Sequence, residues 1–118
     1  MAVLVVDDDE QFRDLARGVL EPAGFEVTEA ASITACLAHL RTHAAAAIVL
    51  DIILPGRDGI AALAELKERF PRVKIVTVSG ADACELYLAV SADLGADASL
   101  CKSGVSSLAA LLHVVLER

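Results

Sequence analysis

AAIVLD, running from Ala46 to Asp51, is apolar at every position until its last. A strand with one face in water alternates apolar and polar residues; this one does not, so both of its faces must be covered. Parallel sheets sandwiched between helices produce such strands. Working outward, AVLVV (Ala2–Val6) is a second run of this kind. FEVTEA (Phe25–Ala30) alternates weakly and reads as a strand, and so do Lys74–Val78 and the short Ala98–Cys101.

Helical periodicity fills the intervals. Phe12, Leu15, Ala16, Val19 and Leu20 recur at the spacing of one helix face, and EPAG (Glu21–Gly24) stops that helix. Ser32 is a plausible N-cap for a helix carrying Ile33, Leu37 and Leu40. LPGRDG (Leu54–Gly59) reads as loop, and Leu63, Leu66 and Phe70 mark the next helix, ended by Pro71. Cys84–Leu94 is a fourth helix, expected to turn Leu86 and Val90 inward and to stop at Gly95. Leu108, Leu111, Leu112 and Val115 mark the last. The pattern is five βα units. With right-handed crossovers it predicts an α/β, doubly wound parallel sheet of strand order 2-1-3-4-5, helices on both faces. Ligands of such sheets bind outside the carboxyl ends of the strands.

The 118 residues fit one domain, expected to span 1–118. A 56% hydrophobic composition excludes disorder, and 3% aromatic content makes the core aliphatic. The apolar runs fall short of membrane-spanning length, and no signal peptide precedes Val3–Val6, so no membrane association and a cytoplasmic location are expected. The net charge of −7 argues against direct nucleic-acid binding. Cys36, Cys84 and Cys101 lack metal-site spacing and read as buried reduced thiols. His39, His43 and His113 read as helix-surface residues.

The predicted carboxyl ends concentrate chemistry. Asp7, Asp8 and Asp9 end the first strand, Asp51 the third, Ser79-Gly80 lie at the end of the fourth, and Lys102 ends the fifth. Crowded carboxylates repel one another, and a divalent cation offsets that. Mg²⁺ suits an all-oxygen site with few carboxylates, several waters and a phosphate oxygen. An ionised Asp is a competent nucleophile toward phosphorus, and a metal, an ammonium and a hydroxyl around it would neutralise the transferring group. Asp9 and Glu10 read only as acids at a helix start.

These residues also carry a resemblance. VLVVDDDEQFR, IVLDIILPGRDG, IVTVSGA and GADASLCK together resemble, over essentially the whole chain, a response-regulator receiver domain of the two-component type, chemotaxis-receiver-like with a flavodoxin-like fold. The resemblance implies that Asp51 is the phosphoacceptor and that Mg²⁺ is bound directly by Asp8, Asp51 and the backbone carbonyl of Ile53, with Asp7 acting through water. Arg13 stands at the family's offset. Lys102 would pair with the phosphate, Ser79 would hydrogen-bond it, and Gly80 would leave room for it. The phosphoryl donor would be a sensor histidine kinase or a phosphotransfer protein. Output would pass through the face of the fourth helix, fifth strand and fifth helix, where Tyr87, Leu88 and Val114 suggest a partner or homodimer contact. The domain would stand alone or begin a longer regulator, and would support its own phosphorylation and slow dephosphorylation without being a dedicated enzyme.

Two positions depart from the family pattern. Ser99 stands where an aromatic ring is usual, three residues before the lysine, and Ser103 follows Lys102 where proline is usual. An aromatic switch is therefore not expected. A cis bond before Ser103 would cost about 2.5–4 kcal/mol, so Lys102–Ser103 is expected to be trans, with output relying on the Ser79–Ala83 loop and the start of the fourth helix, or on a partner that reads the phosphate edge directly. Two rivals on related chemistry fit less well. A haloacid-dehalogenase-type phosphatase needs an Asp where Ile53 stands, and a flavodoxin-like electron carrier would place a flavin phosphate against the acidic Asp7–Asp9.

Overall fold

The computed structural model describes residues 1–54, 57–80 and 84–118. Five parallel strands form the main sheet: β1 (Ala2–Val6), β2 (Glu26–Ala30), β3 (Ala47–Asp51), β4 (Lys74–Ser79) and β5 (Ala98–Cys101). Their order is β2-β1-β3-β4-β5, as the alternation of strand and helix patterns predicts. The helices are α1 (Glu10–Leu20), α2 (Ile33–Leu40), α3 (Gly59–Arg69), α4 (Cys84–Asp93) and α5 (Leu108–Leu116).

Period-two alternation divides the strand residues between two cores. Val3, Val5, Val27, Val49, Val76 and Val78 pack with Phe12, Ala16 and Leu20 of α1 and Leu108, Leu112 and Val115 of α5. Leu4, Val6, Ile48, Leu50 and Ile75 face the other way, onto Ile33 and Cys36 of α2 and Ala62, Leu63 and Leu66 of α3. All five residues of β3 are buried, which is why its sequence shows no alternation.

Local signals set the ends of the elements. Asp9 caps α1 by accepting from the Gln11 N–H at 3.0 Å, and Ser32 caps α2 by accepting from Ala35 at 3.1 Å. Gly24 and Gly95 adopt φ of 96° and 102°, left-handed values that suit glycine after a helix. A Cβ on Gly59 would collide with the Ile52 carbonyl, so only glycine lets α3 start this close to the end of β3.

Three expectations are corrected. Part of the Leu54–Gly59 segment is not simple loop: Ile53–Leu54 and Arg57–Asp58 pair as two short antiparallel strands, while Pro55 and Gly56 lie outside the described residues. The inward residues of α4 are Leu88 and Ser91; Leu86 is 66% exposed and Val90 40%. Apolar residues surround this helix, so periodicity could not select a face. Cys84 and Cys101 are joined as a disulfide, and Cys36 alone is the buried thiol expected. Cys84 and Cys101 lie 17 residues apart in sequence, yet α4 folds back on β5 and brings their Cα atoms to 6.1 Å.

Candidate functional site

The carboxyl end of β1 carries Asp7, whose N–H continues the ladder to the Ala30 carbonyl at 3.0 Å. That pairing drives its side chain into the sheet edge, where it is fully buried. Its Oδ1 accepts from the Asp9 N–H at 2.9 Å, and Arg13 of α1 donates to its carbonyl oxygen at 2.8 Å. Asp51, the last residue of β3, is 3% exposed, and its Oδ1 accepts from the Ile53 N–H at 2.9 Å. Because β1 and β3 are neighbours, the two carboxylates meet.

Lys102, immediately after β5, reaches across to both. Its Nζ lies 2.7 Å from Asp7 Oδ2 and 3.1 Å from Asp51 Oδ2, and 4.8 Å from the centre of the Phe12 ring. The contact to Asp7 is an ion pair outside hydrogen-bond geometry, so Asp7 Oδ2 is buried without a hydrogen-bond partner among the described residues. Burial pushes the Asp51 carboxyl up to about 6. The Ile53 N–H opposes that, the charge of Asp7 adds to it, and Lys102 opposes it. Burial pulls the Lys102 ammonium down, but its pairing with Asp7 and Asp51 prevails and holds it above its ordinary range.

Asp8 is exposed beside this pair, and ligand atoms of Asp7, Asp8 and Asp51 all lie within 4.8 Å of one another. Asp7 Oδ2, buried with no hydrogen bond and paired only with the charge of Lys102, belongs to an all-oxygen cluster of the kind that takes a hard divalent cation, so the donor set fits one. A cleft lined by Asp9, Asp51, Ile53, Gly80 and Lys102 opens onto it. The arrangement offers a buried carboxylate nucleophile, a fixed cation beside it and room for a divalent ion.

The structure therefore gathers Asp7, Asp8, Asp51, Ile53, Gly80 and Lys102 at one edge. Ser79 ends β4 beside them, buried. Lys102–Ser103 is trans, and Lys102–Ser107 winds as a 3₁₀ turn into α5. Of the Ser79–Ala83 loop, Ala81 to Ala83 lie outside the described residues. Sequence reading missed three features. Asp9 lines the cleft as well as capping α1. Ser99 is not an empty position: its Oγ lies 2.9 Å from Thr77 Oγ1 and 3.3 Å from Ser91 Oγ, and Thr77 and Ser91 are 2.7 Å apart. This hydroxyl cluster, with Thr77 and Ser91 buried and Ser99 half-buried, ties α4 to β4 and β5. The disulfide flanks the site: Cys101 directly precedes Lys102, and Cys84 follows shortly after Ser79-Gly80, but no local sequence signal pairs the two.

A family model for the response regulator receiver domain matches residues 3–113. The chain belongs to that family. This receiver domain is 36% identical over 80 residues to an NtrX-like response regulator of Rickettsia bellii, covering 66% of the chain and 17% of that protein. It is 32% identical over 118 residues to the sensory transduction protein RegX3 of Mycobacterium bovis, covering 99% of the chain and 51% of the relative. The chain thus spans at most about half the length of these two relatives. The receiver domain of NtrX from Brucella abortus superposes with a TM-score of 0.90 at 31% identity, over 98% of each chain. As a receiver domain, the chain is a phosphoacceptor module of two-component signalling. Among the described residues, no helix is long and apolar enough to cross a membrane.

Proposed function

We propose that Asp51 is the residue that takes the phosphoryl group, with Mg²⁺ as the cation. The observation that carries this reading is the single lysine bridging two buried carboxylates, Asp51 and Asp7, at the switch point of the sheet. Asp8, Asp51 and the Ile53 carbonyl would hold Mg²⁺ directly and Asp7 through water; bound there, the ion neutralises charge on the phosphoryl oxygens.

Asp51 attacks phosphorus of the phosphohistidine of a histidine kinase or phosphotransfer protein. The P–N bond breaks, the imidazole leaves, and an acyl phosphate forms on the carboxylate. Its Oδ1 is steadied by the Ile53 N–H, which orients the attacking group. Lys102 moves its charge from carboxylate to phosphate. Ser79 hydrogen-bonds a phosphate oxygen. Gly80 keeps the pocket open: a Cβ there would sit 3.2 Å from Lys102 Cδ and crowd the lysine. The domain promotes its own phosphorylation and slow hydrolysis, and is not a dedicated enzyme. It works in the cytoplasm, with no contact to nucleic acid or membrane.

Output runs through α4, β5 and α5. Leu86, Tyr87, Val90 and Leu94 of α4 and the adjoining turn, and Val114 of α5, are exposed and suit an apolar contact with an output domain, a separate partner or a second copy. Leu88, one of the residues expected there, is instead buried. No ring stands at Ser99, so α4 would report the phosphate through its hydroxyl ties to Thr77 and Ser99.

Acetyl phosphate supplied with Mg²⁺ should add one phosphoryl group to the intact protein, seen by mass spectrometry. Asp51→Asn should add none, and chelation should abolish the reaction. Equal labelling of the variant would remove Asp51 from the role.

A further inference from the structure

The Cys84–Cys101 bond has no part in phosphoryl transfer, yet it sits at that site's edge. It joins the first residue of α4 to the last of β5. On β5, Cys101 is the register partner of Ser79, and Lys102 follows it directly. On the other side, Cys84 Sγ lies 3.3 Å from the Ser79 carbonyl oxygen. The strand ladder and the sulfur bridge thus tie both Ser79 and Cys84 to Cys101, at the end of β5.

The remaining anchorage of α4 is thin. Only Leu88 and Ser91 of that helix are buried, and Ser91 is held by the hydroxyls of Thr77 and Ser99. Elements with few buried apolar contacts open first. The bridge therefore supplies the covalent hold at the start of α4. Both cysteines are half-buried and line a cleft with Ser79, Gly80, Lys102 and Ser103, within reach of a dithiol. Accessible disulfides are the exchangeable ones. A reduced Cys84 thiol has an acceptor waiting in the Ser79 carbonyl, so the fold accommodates both states.

We propose that Cys84 and Cys101 form a reversible redox site that governs how firmly Ser79-Gly80 and the start of α4 are held, with the disulfide damping the response to phosphate. The reductant is a dithiol protein or small dithiol. Its thiolate attacks one sulfur, the S–S bond breaks, and a mixed disulfide forms. Its second thiol resolves that intermediate, so two electrons and two protons pass to give two cysteine thiols and an oxidised dithiol. The regulatory sense of this site rests on the phosphoryl reading above.

The full chain, oxidised and dithiothreitol-reduced, is compared by hydrogen exchange and by titration with Mg²⁺ and beryllofluoride followed by ¹⁹F NMR. Alkylation of the native reduced protein should find two new thiols. Cys36 should stay unlabelled, because burial pushes its thiol up to about 11. Amides of α4 should exchange at least fivefold faster after reduction, and beryllofluoride affinity should change by at least threefold. The C84S/C101S double variant should match the reduced protein with or without reductant. Identical α4 exchange and identical affinity in the two redox states would overturn the proposal, as would a bond that yields to dithiol only when the protein unfolds. Redox-dependent α4 exchange with no bound beryllofluoride in either state would strike the phosphoryl reading and leave the redox control of α4 standing.

Discussion

Lys102 is held by two acids and stacks near one ring, and its removal tests the electrostatics of the edge directly. Without it, Asp7 and Asp51 face each other across a buried gap with no cation. Breaking a buried ion pair on one side costs about 3–5 kcal/mol, because the stranded charge remains. Asp51 softens that cost, since burial already pushes its carboxyl up to about 6 and it can take a proton. Lys102→Ala should therefore lower metal-free stability by about 2–4 kcal/mol in urea denaturation at neutral pH. Added Mg²⁺ should recover part of the loss. A neutral substitution would mean that the lysine is not the counter-charge of the pair.

At the level of elements, α1 is fastened to β2 by charge as well as by core contacts. Arg13 and Arg17 of α1 both bond Glu29 of β2, at 2.9 Å and 2.8 Å, and Arg17 also reaches Glu21 at 3.0 Å. The hydrogen bond from Arg17 holds the Glu29 carboxyl below its ordinary value of 4.5, Arg13 adds to this, and partial burial opposes it. A depressed carboxylate stabilises the fold above its unfolded pKa and loses that contribution as pH falls through the folded one. Glu29→Gln should thus cost about 1 kcal/mol at pH 7, less in high salt. The gap to wild type should start to close below about pH 4.5 and vanish at more acid pH. A pH-independent gap would assign the loss to packing. The opposite case is α4: among the described residues no ion pair fastens it, and Leu88, the hydroxyls of Thr77, Ser91 and Ser99 and the Cys84–Cys101 bridge hold it instead.

For the whole molecule, folding assembles a site that no isolated segment contains. The three acidic side chains come together only when β1 and β3 pair, so a cation bound there binds the folded state alone. Such a ligand adds about 2.7 kcal/mol of stability at a hundred times its Kd. Calorimetry should show the melting temperature rising steadily with Mg²⁺ in the wild type, and little or no rise in Asp51→Asn. A flat response in the wild type up to tens of millimolar would dismiss the cation site.

The apolar β3, the alternation of strand and helix patterns and the polar residues at strand ends were enough to read the topology and to name Asp7, Asp8, Asp51, Ser79 and Lys102. Burial on two faces and ligand sites at carboxyl ends leave direct marks on sequence: loss of alternation in a strand such as Ala47–Asp51, and acids where a core strand stops. The tertiary structure alone decided which side of α4 turns inward, because a helix apolar all round carries no directional signal. It also decided that Ser99 bonds Thr77 and Ser91, and that Cys84 and Cys101 join. Those facts depend on how β4, α4 and β5 pack, and distances between segments far apart in the chain are set by packing and not by any local run of residues.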